Sequence, residues 1–210
     1  MKITKFVHSC LLVETPDRTA LFDPGVMSES ALDVAKLERL DDIFITHEHS
    51  DHVSPSLVKA LVAKFPNVRI TTTPTVVDQL AKEGITATTE APEGVVFFNS
   101  PHENVKQLFQ SDPAEIGVHY LGNLSHPGDS HSFTETKAIL ALPITAPWGS
   151  AVNALNLALQ LKPRYVLPIH DWHWRDEARE KMYQDFESVL GEQGITFFKL
   201  QTGEPVTIDI

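Results

Sequence analysis

Several features are scarce or absent in this sequence, and each argues against a class of protein. The single cysteine, Cys10, has no second thiol with which to form an intramolecular disulfide. No apolar run approaches the roughly 18 residues of a membrane-spanning helix. The N-terminal residues 1–5 do not lead into the apolar core of a signal peptide. We therefore expect a soluble, cytoplasmic protein.

Positive charge is also scarce, since 17 Lys and Arg stand against 28 Asp and Glu for a net charge of -11. Because nucleic-acid binding relies on clustered cations that neutralise phosphates, this balance disfavours a nucleic-acid partner. No repeat or low-complexity stretch divides the 210 residues, and a chain of this length can bury one core. We expect a single domain spanning residues 1–210, with homo-oligomerisation left open.

Strand and helix signals alternate along the chain. The first two strands, at 2–15 and 19–23, flank a Pro-Asp-Arg turn and predict a β-meander. Further strands are expected at 42–46, 69–72, 94–98, 116–121, 138–142, 165–169, 195–200 and 205–210. Helices are expected at 30–40, 55–65, 74–82, 150–161 and 175–190. This order predicts sheets that are covered by helices.

The densest chemical signal is the segment at 46–52, with the sequence Thr-His-Glu-His-Ser-Asp-His, between a predicted strand and a predicted helix. His47 and His49 are two residues apart and can point to the same side of an extended segment, whereas Asp51 and His52 bend toward a second position. Imidazole and carboxylate ligands suit Zn²⁺ and accommodate Mn²⁺ or Fe²⁺. The segment therefore predicts a metal site, and a solvated polar loop is the simpler alternative.

Three more residues capable of binding a metal lie near predicted strand ends. His102 and His170 each come soon after a strand, and Asp129 lies in a polar loop between two strands. Strand ends fix ligand geometry while the adjoining loops shape a pocket, so these positions favour convergence with the segment at 46–52. Taken singly, each residue is also explained as an ordinary strand-end histidine or turn aspartate.

One set of residues, read in chain order, resembles the ligand motif of a known family: His47, His49, Asp51, His52, His102, Asp129 and His170. The family is the metallo-β-lactamase superfamily, and the match spans nearly the whole chain. The segments at 7–14, 21–25 and 126–130 resemble in particular its ascorbate-6-phosphate lactonase-like branch. The resemblance implies an α+β fold, a four-layer αββα sandwich of the metallo-β-lactamase type with the metals at one edge.

The resemblance also implies a role for each ligand. One metal would be held by His47, His49 and His102, the other by Asp51, His52 and His170, with Asp129 bridging the two. Two divalent ions, Zn²⁺ in preference to Mn²⁺ or Fe²⁺, would share a hydroxide and polarise the scissile carbonyl or phosphoryl oxygen. Asp51 would in addition be the catalytic base, and Asp23 would support the ligands.

We therefore predict an enzyme, a dinuclear metal-dependent hydrolase that acts on a small-molecule ester, lactone, amide or phosphoester. The alternatives are a non-catalytic metal-binding or sensing protein of the same fold, and a phosphodiesterase or nuclease of the superfamily. His49 stands where the di-iron redox branch usually carries Glu, which favours hydrolysis. Ser9 and Ser50 have no evident base partner, so a serine nucleophile is disfavoured.

Other histidines and tryptophans lie near the motif segments, and their roles are left open: His8, His126, His131, Trp148, Trp172 and Trp174. Hydrogen bonding or packing alone would explain each of them. The identities of the substrate and the metal are likewise left open.

Overall fold

The computed structural model describes residues 1–104, 106–110 and 113–210. The chain divides into two compact units, the first formed by residues 1–92 and 200–210 and the second by residues 93–199. Each unit contains one six-stranded sheet. In the described part of the chain, no helix has the length and apolarity needed to cross a membrane. The single domain at 1–210 and the cytoplasmic location stay predictions.

The sheet of the first unit has the strand order β12-β1-β2-β3-β4-β5. Its strands are β1 (Lys2–Lys5), β2 (Leu11–Glu14), β3 (Thr19–Phe22), β4 (Asp42–Phe44), β5 (Arg69–Thr71) and β12 (Pro205–Thr207). The neighbours from β12 to β3 are antiparallel, whereas β3, β4 and β5 run parallel. Because parallel neighbours end at the same edge, the residues that follow β3 and β4 lie side by side.

Helices α1 (Pro55–Lys64) and α2 (Pro74–Lys82) confirm two of the predicted helices. Helix α1 begins where the sequence signal placed it, because the Ser54 side chain accepts a hydrogen bond from the Leu57 amide and Pro55 occupies the first turn. The capped start of this helix also ends the histidine-rich segment that precedes it.

The predicted helix at 30–40 is wrong. The region contains one short 3-10 helix, at Val34–Lys36, and another, at Val26–Ser28, precedes it. Three leucines of the region are buried in the core of the unit, at Leu32, Leu37 and Leu40. The Asp33 side chain accepts from the Ala35 amide, a local bond that competes with helix formation. Among the residues whose spacing predicted the helix, Leu32 and Leu37 are buried but Ala35 is exposed. The apolar spacing therefore indicated burial only in part and did not indicate the backbone conformation.

The sheet of the second unit has the order β11-β10-β9-β8-β7-β6. Its strands are β6 (Val95–Phe98), β7 (Gly117–Tyr120), β8 (Leu124–His126), β9 (Ile139–Pro143), β10 (Tyr165–Ile169) and β11 (Thr196–Phe197). Its helices are α3 (Lys106–Phe109), α4 (Ala151–Leu161) and α5 (Asp176–Gly191). Strands β8, β9 and β10 run parallel, so the residues that follow them meet at one edge.

Strand β8 lies where the sequence predicted a polar loop, and that part of the prediction is wrong. The strand is only three residues long, and two of them, Ser125 and His126, are polar but completely buried. The Ser125 hydroxyl lies 2.9 Å from Nδ1 of His119 and accepts from the Lys137 amide. Because these polar groups are paired inside the sheet, the strand has no apolar run by which the sequence could reveal it.

Candidate metal centre

The histidine-rich segment at 46–52 connects β4 to α1 in the first unit. The His47 ring is completely buried, and its Nε2 lies 3.0 Å from Nδ1 of His49. The two rings meet edge to face, with their centroids 4.6 Å apart. The predicted pairing of these two side chains is thus present, with ring nitrogens that approach each other closely.

Asp23, which directly follows β3, holds the start and the end of this segment together. One carboxylate oxygen accepts from the Thr46 amide at 2.8 Å. The other accepts from the Thr46 hydroxyl at 2.9 Å and lies 2.7 Å from Nδ1 of His52. Because a carboxylate only accepts hydrogen bonds, Nδ1 of His52 carries a proton, and in the neutral imidazole Nε2 keeps the lone pair. Asp23 therefore sets the tautomer that a metal ligand needs.

We expect Asp23→Asn to weaken metal binding about 10- to 100-fold while leaving the fold intact. The asparagine amide group would face Nδ1 of His52 as a donor, which favours the tautomer whose Nε2 is protonated. Titration of the metal-free protein with Zn²⁺ measures the effect. Asp42→Asn is the matched control, because Asp42 is also buried but pairs with Arg18. Equal losses of affinity in both variants would contradict this role for Asp23.

The segment at 23–26 packs its backbone against the loop at 50–54. The Val26 amide donates to the Ser50 carbonyl at 2.8 Å, and the Ser54 amide donates to the Pro24 carbonyl at 2.9 Å. Gly25 lies between these bonds, and a Cβ atom there would be 1.8 Å from the Asp51 carbonyl oxygen. The close approach of the two segments, which positions the predicted ligands in this loop, therefore requires that residue 25 has no side chain.

His8, whose role the sequence left open, lies beside two predicted ligands. Its Nε2 is 3.0 Å from a carboxylate oxygen of Asp51. Its ring meets the His52 ring edge to face, with the centroids 5.4 Å apart. One ligand atom from each of these three residues falls within 4.8 Å of the others. The first unit thus places His8, which is not part of the ligand motif, beside two residues that are.

In the second unit, Asp129 brings two predicted ligands together. One of its carboxylate oxygens lies 3.1 Å from Nε2 of His170 and 3.5 Å from Nε2 of His102. All three side chains are almost completely buried. Parallel strands explain part of this convergence, since Asp129 follows β8 and His170 follows β10.

Backbone carbonyls fix the tautomers of both histidines. Nδ1 of His170 lies 2.6 Å from the Thr145 carbonyl oxygen, and Nδ1 of His102 lies 2.5 Å from the Glu103 carbonyl oxygen. Carbonyl oxygens only accept, so each Nδ1 donates, and in the neutral imidazoles each Nε2 presents a lone pair toward Asp129. Three acceptors then face one another. Such a set requires a cation, either added ring protons or a metal ion, to compensate its charge.

Two glutamates that the sequence analysis did not identify accept hydrogen bonds from loops of this unit. The Glu115 carboxylate accepts from the Asp129 amide at 3.0 and 3.1 Å. The Glu103 carboxylate accepts from the His131 amide at 2.9 Å and from the Ser132 hydroxyl at 2.8 Å. Neither glutamate belongs to a recognisable motif, because each acts on a loop that is distant along the chain.

His131 is tied to the backbone. Its Nε2 lies 2.7 Å from the Pro143 carbonyl, which accepts from it, so this nitrogen carries a proton. Burial lowers the pKa of His131, and the bond to Pro143 opposes that shift only in part. His126, also left open by the sequence, accepts a long bond of 3.4 Å from the Gly128 amide through its Nδ1.

The residue after His170 is anchored to helix α5. The Tyr183 hydroxyl donates a hydrogen bond to the Asp171 carboxylate, and both side chains are buried. Burial raises the pKa of Tyr183, and the neighbouring charge of Asp171 raises it further. His170 itself has a positive φ of 58°. The backbone at this ligand is therefore held in an uncommon conformation that tertiary contacts maintain.

Of the three tryptophans, Trp148 lies beside the predicted ligands. Its ring centroid is 5.3 Å from that of His170 and 6.1 Å from that of His102. Trp172 is 46% exposed, and Trp174 packs against the core of the second unit. A cleft of about 310 Å³ adjoins Trp148 and is lined by Glu103, His131, Ser132, Trp148, Asn153, Asn156, Leu157 and Gln160. Its lining is predominantly polar.

Comparison with known proteins places this geometry in a family. A family model described as a beta-lactamase superfamily domain matches residues 2–170. The chain belongs to the metallo-β-lactamase superfamily. This membership confirms the resemblance to the superfamily that the ligand motif indicated. The assignment to the lactonase-like branch stays a prediction.

Among similar proteins, Protein Rv0786c of Mycobacterium tuberculosis is 27% identical over 94% of this chain and 100% of its own length. The UPF0173 metal-dependent hydrolase YtkL of Bacillus subtilis is 26% identical over 81% of this chain and 85% of its own. Igni18, described as a novel metallo hydrolase from Ignicoccus hospitalis, superposes with a TM-score of 0.75 at 20% identity, covering 100% of this chain and 98% of that one. The expected fold class, the αββα sandwich of this superfamily, is thereby confirmed. The assignment of individual ligands stays a prediction.

Proposed function

We propose that this protein is a metal-dependent hydrolase of small molecules. The proposed ligands are those of the superfamily motif, namely His47, His49, His102, Asp51, His52, His170 and the bridging Asp129. The names of YtkL and Igni18, a metal-dependent hydrolase and a metallo hydrolase, support the activity class. The coordination by two ions rests on the motif.

The proposal rests on one observation, that three side chains with hydrogen-bond acceptors lie close together in the second unit. Nε2 of His170 and Nε2 of His102 both face one oxygen of Asp129, while Nδ1 of each ring donates to a backbone carbonyl. Two divalent ions, one bound by His102 and the other by His170, with Asp129 as the bridge, would satisfy all three groups. Zn²⁺ fits this donor set best, and Mn²⁺ or Fe²⁺ also fit.

When bound, two such ions supply Lewis acidity toward a carbonyl or phosphoryl oxygen and lower the pKa of water toward neutrality. The protein's own groups would do the rest. Asp51, whose side chain is 25% exposed, would orient the attacking water and accept its proton on a carboxylate lone pair that neither the metal nor His8 occupies. The buried Asp23 carboxylate and the main-chain carbonyls of Thr145 and Glu103 would keep the imidazoles aligned throughout.

The cleft beside Trp148 favours neutral substrates among the proposed esters, lactones, amides and phosphoesters. Amide, hydroxyl and carboxylate groups line it, and no Lys or Arg appears among the described residues that do. Recognition of a phosphomonoester group normally uses such cations. Trp148 offers one flat apolar face for the substrate.

Metal removal and reconstitution test the proposal. The chelated protein should lose more than about 100-fold of its hydrolytic rate, since the ions supply several kcal/mol of transition-state stabilisation. Adding Zn²⁺ or Mn²⁺ should restore it. Rates are measured on a panel of neutral lactones, phosphorylated lactones and bis-p-nitrophenyl phosphate, with metal content determined on the same samples. A metal-loaded protein inert across the panel would indicate a sensor, and chelator-resistant hydrolysis would reject the metal mechanism.

A further inference from the structure

We propose that His8 is a positioning residue of the candidate metal centre, where it holds one carboxylate oxygen of Asp51 and leaves the other oxygen for the metal. The inference rests on the proposed function, because Asp51 is one of the proposed ligands. His8 itself has no place in the superfamily motif from which the ligands were taken.

The contact itself is the first support. Nε2 of His8 lies 3.0 Å from one carboxylate oxygen of Asp51, which is a close polar contact between the two side chains. The His8 side chain is completely buried, whereas that of Asp51 is 25% exposed. A buried imidazole this close to one oxygen of a partly exposed carboxylate restricts rotation of the carboxylate and so selects which oxygen faces the centre.

The second support is the way the backbone places His8. The residue lies between β1 and β2, with a positive φ of 66° that costs free energy for a non-glycine residue. The turn around it is closed by the bond from the Phe6 amide to the Cys10 carbonyl, at 2.9 Å. Tertiary contacts must therefore maintain this conformation, which aims the ring at Asp51.

The third support is a connection between this turn and the ligand loop. The Ser28 hydroxyl donates to the Val7 carbonyl at 2.9 Å and accepts from the Val7 amide at 3.2 Å. Ser28 belongs to the same short 3-10 helix as Val26, whose amide bonds the Ser50 carbonyl. The turn is thus fixed to this segment by the Ser28 side chain, and the ligand loop is fixed to it by a main-chain bond. These bonds hold the backbone of the turn, and the ring of His8 contacts Asp51.

Zn²⁺ titration of the chelated full-length protein by calorimetry tests the proposal with His8→Ala and His8→Gln. Loss of a group that orients a ligand typically weakens metal binding about 10- to 100-fold. We expect His8→Ala to keep the wild-type stoichiometry with an affinity reduced in that range. His8→Gln should lie within about threefold of wild type, because its amide nitrogen can donate to Asp51.

Each outcome decides the matter. Loss of one metal equivalent in His8→Ala would make His8 a direct ligand, and wild-type affinity would remove it from the site. Either result overturns the positioning role while the proposed function stands. A wild-type protein that binds no Zn²⁺ would overturn both.

Two further variants separate the contact from general folding. In an Asp51→Asn background, His8→Ala should change affinity little, since the partner carboxylate is already gone. An undiminished effect there would reject the contact as its cause. If His8→Ala does not fold, His8→Asn replaces it, because its shorter amide does not reach Asp51. We then expect His8→Gln to bind metal better than His8→Asn, and equal binding would overturn the proposal.

Discussion

Replacing Asp129 with asparagine is expected to lower hydrolysis about 10³-fold and to reduce the bound metal. Asp129 places one oxygen against Nε2 of both His102 and His170, and it is the proposed bridge between two ions. Asparagine keeps the size of the side chain but removes the negative charge that balances the metals. A loss of about 4 kcal/mol of transition-state stabilisation corresponds to that factor.

The measurement combines rates on the substrate panel with metal content determined on the same protein sample. Asp78→Asn is a suitable control, since Asp78 is an exposed carboxylate on α2. The Asp129 loop should keep its shape in the variant, because Glu115 holds the main-chain amide of residue 129 and not its side chain. Wild-type metal content together with wild-type rates in Asp129→Asn would remove this residue from the centre.

Gly25→Ala is expected to be the most destabilising single-methyl change at the site. The new Cβ would lie 1.8 Å from the Asp51 carbonyl oxygen and 2.8 Å from the His52 amide nitrogen. Both are main-chain atoms, so no side-chain rotation relieves the overlap, and the ligand loop must move. Overpacking of this kind costs about 3 kcal/mol, or a fall in Tm of about 6–12 °C for a chain of this size.

Thermal unfolding and Zn²⁺ titration of the same variant measure the two consequences. The backbone at Gly25 has φ -79° and ψ 170°, which any residue can adopt, so only the lack of space opposes a side chain. Gly191→Ala is the matched control, because a Cβ there meets nothing within 4 Å. Equal Tm values for the two variants would show that the loop at 50–54 does not depend on the close approach of Gly25.

Local signals account for the elements that the sequence predicted well. Helix α2 has the predicted bounds, since proline marks its start and its apolar residues recur at helical spacing. Local sequence signals did not predict the secondary structure where tertiary contacts determine the backbone conformation. The region 30–40 buries its leucines without forming a helix, and β8 is a strand whose residues pair only inside the sheet.

The candidate metal centre likewise has features that the local sequence predicts and features that only tertiary contacts set. His47 and His49 could be paired from their spacing, because two residues along an extended segment return to the same side. The groups that orient the imidazoles could not be found in this way. Thr145 is 25 residues from His170, and its contribution is a main-chain carbonyl that any residue type would provide. Glu115, 14 residues from Asp129, carries no motif that marks it.

The sequence by itself determined the superfamily and predicted the chemical type of the centre, because the candidate ligand atoms reside in particular side chains whose order and spacing can be read directly. Only the tertiary structure decided how those side chains are held. The tautomers set by Asp23 and the carbonyls, the space reserved by Gly25 and the contact between His8 and Asp51 all depend on distances between segments far apart in the chain. These are consequences of packing and main-chain hydrogen bonding, which no local pattern encodes.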